Sequence, residues 1–197
     1  TNTQETEGYR HVFKDCSFIY ATDATNGNGF HCTGGPEVVL DNCVAAYNIR
    51  DGFNFAIRTS VIPKAVLLNC IGKWNGDQAV SSGNNNGSTM HSAGTIVRIG
   101  GEYFENDGPN CADVEASKTW NVGVSAHDSR RATPSTQAAD FYNSAGLTWL
   151  YECEAEGSEY AVTTTSGGTT YLDSFTDDGG AHESTGATET TYKQLGL

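Results

Sequence analysis

Apolar and polar residues alternate in short runs along this chain, and the runs recur. HVFKDCSF from His11, EVVLDNCVAAYN from Glu37, KAVLLNCIGKWN from Lys64 and LTWLYECEAEG from Leu147 share one pattern. Each carries a β-rich run, then a polar residue, then a cysteine at Cys16, Cys43, Cys70 or Cys153. Tyr47-Asn48 and Trp74-Asn75 both fall four and five residues past the cysteine, and second β-like runs start at Asp51 (DGFNFA) and Asp77 (DQAVSSG). Val, Ile, Thr, Tyr and Phe cluster in runs bounded by Gly, Asn and Asp, as strands do. No helical period is sustained, and 23 glycines would break helices in any case. Two short strands per unit of roughly 21 to 30 residues predict a solenoid.

Seven rungs are expected, beginning near His11, Glu37, Ala65, Thr95, Thr119, Leu147 and Thr169. The cysteine position becomes Gly100, Val124 and Ser174 in the other three rungs, small or apolar throughout, which suits an inward-facing column. Rungs about 4.8 Å apart would make a prism roughly 30 to 35 Å long. The expected fold is an all-β, right-handed parallel β-helix of about seven rungs over residues 9–180, with a polar lead-in at 1–8 and a cap or tail at 181–197. A preceding column of Asp15, Asn42, Asn69 and, in the last rung, Asp173 is read as structural, satisfying backbone donors at a bend.

Charge narrows the partners. A net charge of −13 opposes binding to nucleic acid and to anionic lipid. No apolar run is long enough to span a bilayer, so membrane insertion is not expected. The six cysteines are read as reduced thiols stacked in the core, with Cys32 and Cys111 in the second strand of their units. No C-x-x-C occurs and no His lies at ligand spacing from a Cys, so neither metal nor cofactor is expected.

Three sets of residues invite chemistry. Asp51 and Asp77, with Asp107 following, look like an acid column. Stacked carboxylates about 5 Å apart match a retaining glycosidase pair and would push one pKa up. Tyr20, Tyr47, Trp74 and Phe104 form an aromatic column four residues past the core position. Tyr20 and Phe104 are expected in the core, whereas Trp74, with Tyr47 and the neighbouring Tyr103, is expected to offer a π-face to a sugar ring. Loops 56–64, 82–93 and 128–139 interrupt the coils and hold Arg58, His91, Arg130 and Arg131. Of these, Arg58 and His91 join the candidate sugar site, with Asp107, since loops on rigid scaffolds often bind.

The segment Val38-Val39-Leu40-Asp41-Asn42-Cys43-Val44-Ala45, followed by Asn48 and Asp51-Gly52-Phe53, resembles the repeats of the pectin-lyase-like right-handed β-helix superfamily. The resemblance covers residues 9 to 180 and is one of repeat pattern, which speaks to fold before function. It implies a carbohydrate ligand along the side of the prism. The signatures of its polygalacturonases, pectate lyases and alginate epimerases are missing; Arg130-Arg131-Ala132-Thr133-Pro134 and His127-Asp128-Ser129 do not match them. Bacteriophage tailspikes share no local motif, and the chain looks most like one of these. The resemblance therefore implies a receptor-binding module for a bacterial surface polysaccharide, extracellular or on a virion tail. It also implies a homotrimer, to which Trp120 and Trp149 would contribute surface aromatics. The alternatives are a polysaccharide hydrolase or lyase acting through the acid column, and a structural spacer of a fibre or adhesin.

Overall fold

In the computed structural model the described residues are 10–33, 37–57, 61–77, 79, 85–130, 138–185 and 188–191. All regular structure among them is β, in three parallel sheets of eight, seven and seven strands. Each coil gives one strand to each sheet. Coil 1 is His11–Lys14 in sheet A, Ser17–Ile19 in sheet B and Phe30–Thr33 in sheet C. Coils 2 to 7 open with Val38–Asp41, Lys64–Leu68, Thr95–Ile99, Lys118–Val122, Leu147–Tyr151 and Thr169–Asp173 in sheet A, and Thr188–Thr191 adds an eighth strand. The chain is thus a parallel β-solenoid whose seven coils begin where the repeat predicts.

Each coil has three strands rather than two, because the first β-run is bent. Asp15, Asn42, Asn69, Gly100, Gly123, Glu152 and Ser174 all have φ between 48° and 60° and split the run into a sheet A and a sheet B strand. Left-handed backbone is tolerated best by Gly, Asn and Asp, which explains most of this column. Asn42 also donates from its amide to Asp15 Oδ1 at 2.6 Å. The last member is Ser174, not Asp173, which pairs instead with Tyr151 in sheet A. The same one-residue shift moves the cysteine column. Register places Gly101 over Cys70, and a Cβ at Gly101 would lie 2.3 Å from the Cys70 carbonyl. The inward column is therefore Cys16, Cys43, Cys70, Gly101, Val124, Cys153 and Phe175. Cys32 and Cys111 lie in sheet C, the third strand of the coil. All six thiols are free, and burial pushes Cys70 up to about 12 and Cys153 up to about 11.

Alternation of period two sends every second sheet A residue inward. Leu40, Leu67, Phe53, Phe55 and Met90 fill coils 2 and 3 with apolar volume. Coil 4 then changes character: Arg98 is fully buried, paired with Asp113 at 3.1 Å and donating to Ser88 Oγ and Asn121 Oδ1. Thr148 Oγ1 donates to the other oxygen of Asp113, so the carboxylate is satisfied on both sides. Beyond residue 180 the solenoid continues, since Ala181–Thr185 and Thr188–Thr191 pair in register with coils 6 and 7. The lead-in at 1–8 lies outside the described residues.

The corner between sheets B and C holds a buried amide ladder. Asn48 Nδ2 donates to Asn75 Oδ1 at 2.8 Å, and Asn75 Nδ2 to Asn106 Oδ1 at 3.0 Å. Each amide also caps a sheet B carbonyl: Phe18 for Asn48, Ala45 for Asn75 and Gly72 for Asn106. Asn106 passes the chain to Asn110, which donates to Asp140 Oδ1 at 2.8 Å; Ser158 Oγ donates to the same oxygen. Burial pushes the Asp140 carboxyl up to about 8, against the opposing pull of those two hydrogen bonds. An acid raised on folding contributes stability that is whole below its unfolded pKa of about 4 and is lost as pH rises through its folded pKa. Thermal unfolding should therefore show Asp140→Asn gaining on the parent chain as pH rises, by on the order of 2–4 kcal/mol between about pH 5 and about pH 9. Parallel pH profiles for the two proteins would show that Asp140 is ionised throughout.

Candidate functional site

The proposed acid column is not a column. Counted from the ladder amides, Asp51 lies three residues past Asn48, Asp77 two past Asn75 and Asp107 one past Asn106. The bend following each amide has a different length, so the three acids diverge. Sheet C pairing runs Phe53 to Ser88, and the residue stacked on Asp51 is therefore Asn86, whose backbone N–H donates to Asp51 Oδ1 at 2.9 Å. Asp77 instead caps its own turn, accepting from the Ala79 N–H at 2.9 Å, and Asp107 pairs with Arg130 at 3.2 Å.

Tyr103 also departs from expectation. It points into the core with no exposed surface, its ring lying over Gly72, where a Cβ would meet Tyr103 Cδ1 at 2.8 Å. Its neighbours in the aromatic column point outward. Tyr20 is 64% exposed and Tyr47 46%, so Tyr20 is not a core residue. Phe104 is half-buried and one register short of the others, since Glu105 is what stacks on Trp74. The exposed rings stack on one another along the axis, Tyr20 on Tyr47 at 5.1 Å and 7°, Tyr47 on Trp74 at 4.8 Å and 29°. Trp74 is held further by Lys73 Nζ, 4.2 Å from its ring centre, and by donation from its Nε1 to the Glu105 carboxylate. Faces engaged with each other present mainly edges to solvent.

A cleft on the outer side of sheet C collects the remaining chemistry. It has a volume of about 280 Å³ and draws residues from four successive coils. His31 comes from coil 1, Arg50 and Asn54 from coil 2, His91 and Ser92 from coil 3 and Glu115 from coil 4. Strand alternation places His31 and Asn54 side by side on the outward face, in register. Beneath them Asp51 is fully buried and accepts from Asn54 Nδ2. Desolvation holds the Asp51 carboxyl above its ordinary range despite the hydrogen bonds from Asn86 and Asn54. The Asn54 amide also faces His91 Nε2 at 3.5 Å, while His91 Nδ1 lies 3.8 Å from Glu115 Oε1. Ser92 Oγ donates to Glu115 Oε2 at 2.7 Å. His31 is held below its usual pKa, chiefly by desolvation, with Asp51 opposing and Arg50 and His91 reinforcing. Arg50 donates to the Thr25 carbonyl, fixing the first loop against the second coil.

Of the residues singled out in the sequence, His91 lines the cleft and Asp51 lies buried beneath it, while Tyr47, Trp74, Asp77 and Asp107 lie away from the cleft and Arg58 lies outside the described residues. His31, Arg50, Asn54 and Glu115 escaped sequence reasoning, because reading two strands per coil hid which residues share the outward face of the third. Asn86, which opens an N-glycosylation triplet with Gly87 and Ser88, is buried and donates to Thr89 Oγ1. Among the described residues no three His, Cys, Asp or Glu side chains converge as a metal site. No family model, curated protein or solved structure matches this chain. The hydroxyl of Tyr103 is buried without a hydrogen-bond partner. Urea unfolding should therefore find Tyr103→Phe as stable as the parent or about 1 kcal/mol more so; a loss of similar size would mean the hydroxyl is satisfied.

Proposed function

We propose that this β-solenoid is a polysaccharide-binding module, of the kind that bacteriophage tailspikes and other extracellular fibres present to a bacterial surface. The observation that carries this is the sheet C cleft, a run of amide, imidazole, guanidinium, hydroxyl and carboxylate groups spread over four coils. Three spacings of about 4.8 Å make a polar track roughly 14 Å long, suited to a short stretch of polymer lying along the axis. Sugar hydroxyls both donate and accept, and the track offers both: His31, His91 and Arg50 as donors, Glu115, Ser92 and the amide oxygens as acceptors. The net charge of −13 favours a neutral or weakly charged glycan over a strongly anionic one.

A hydrolase is the second reading, and the geometry favours it less. Glycoside hydrolysis needs two carboxyl groups about 5 to 9.5 Å apart facing one bond. Glu115 is the acid that opens to the cleft, whereas Asp51 is shut behind Asn54. Screening the protein on bacterial capsular and O-antigen polysaccharides tests both readings. Retention on at least one glycan is expected, with no release of reducing ends and no ultraviolet absorbance of an unsaturated product. His31→Ala and His91→Ala should each weaken retention at least about tenfold, a loss of about 1.4 kcal/mol or more, and Tyr47→Ala far less. Cleavage that Glu115→Gln abolishes would establish the enzyme instead. Failure to bind any glycan would leave a spacer.

A further inference from the structure

The outward face of sheet A carries an apolar stripe that the glycan cleft does not use. Register aligns Val12, Val39, Val66, Val97, Trp120, Trp149 and Tyr171 in one column, one residue per coil. Beside it run Leu68, Ile99, Val122 and Tyr151. Val12 is 62% exposed, Ile99 43% and Tyr151 37%. The aromatic half is rigid: Trp120 stacks on Trp149 at 4.9 Å and 3°, and Trp149 on Tyr171 at 5.2 Å and 19°. Among the described residues, the sheet A strands pack chiefly along their own sheet.

We infer that this face pairs with the same face of a second copy of the chain, the two solenoids antiparallel and related by a twofold axis through Val97. The order of side chains along the stripe selects that arrangement. Three valines occupy coils 1 to 3, Val97 is the middle member and three large aromatics occupy coils 5 to 7. Reversing one copy sets Val12 opposite Tyr171, Val39 opposite Trp149 and Val66 opposite Trp120, so each large ring meets a small side chain. A parallel pair would set ring against ring at one end and leave a gap between valines at the other, which close packing disfavours. The rim agrees at one point and opposes at another: Lys14 falls opposite Asp173 of the second copy, and Lys64 opposite Lys118. Long lysines at a polar rim can turn to water, so this costs little.

Area points to a pair as well. Seven strands about 4.8 Å apart, each with three outward residues about 6.8 Å apart, give roughly 500–600 Å² per copy and about 1,000–1,200 Å² for the pair. That reaches the lower end of specific interfaces only if one partner covers the whole face. A threefold arrangement would divide one flat face between two neighbours. An isologous twofold contact uses the same patch on both copies and closes on itself.

The test is the mass of the purified chain by light scattering across a concentration series, with Val97→Arg and three cysteine variants. The expected result is a dimer that Val97→Arg converts to monomer, weakening association at least about a hundredfold with an unchanged β-sheet circular dichroism spectrum. Under mild oxidation V97C should cross-link to itself, and V66C should cross-link to W120C in a mixture but not to itself. Should V97R fail to fold, the cross-links alone decide. A monomer or a trimer of the unmodified chain at 100 µM or so, or V66C bonding to itself, overturns the assignment.

Discussion

Parallel strands stacked in register, about 4.8 Å apart, require every residue to lie beside its counterpart in the next coil. A side chain is acceptable in this molecule only if it tolerates that neighbour. Amides meet the requirement because each both donates and accepts, which is why Asn48, Asn75 and Asn106 can be buried without penalty. Flat rings meet it by stacking, as in Trp120, Trp149 and Tyr171. Thiols meet it as small apolar groups that also donate weakly to strand carbonyls, as Cys70 does to Leu40. Carboxylates meet it poorly, and Asp51, Asp77 and Asp107 are staggered out of register, with Asp51 buried under an amide.

That constraint decides what the sequence discloses. Columns whose members are alike, such as the cysteines and the corner asparagines, mark the coil starts correctly because like residues stack on like. Where a coil substitutes something different the eye slips by one residue, as it does at Gly100-Gly101 and at Asp173-Ser174. The site was less legible. Loops of unequal length follow the ladder, so Asp51, Asp77 and Asp107 share a local motif without sharing a place. The slip at Gly100-Gly101 also hides the direction of Tyr103, which register sets at the inward position of sheet B beside Gly72 and Ala126, where Gly72 leaves room for its ring. The cleft residues come from four coils, and no local window contains more than four of them.

Interior composition divides the molecule along its axis. Coils 2 and 3 are packed with Phe and Leu, while coil 4 buries an arginine with a matched set of acceptors. Removing one member of such a pair is costly, at about 3–5 kcal/mol, although the intact pair adds little net stability. Its effect is to fix register where the apolar column is interrupted: Arg98 reaches Asp113, Asn121 and Ser88 only if coils 3, 4 and 5 are aligned as they are. The cleft spans coils 1 to 4, so this pin lies at its far edge and steadies the strand that leads to Glu115.

The amide ladder also has a direction. From Asn48 to Asn75 to Asn106 to Asn110, every Nδ2 donates forward to the next oxygen, and the series ends on Asp140, whose Oδ1 also accepts from Ser158. An asparagine inserted anywhere before the end accepts one hydrogen bond and passes one on, leaving the count of unpaired groups unchanged. The solenoid can therefore lengthen by duplicating a coil that carries its asparagine, with nothing else rebuilt. Asp140, which accepts at one oxygen and passes no hydrogen bond on, is a terminus for that growth, and a coil added beyond it would need its own source of donors.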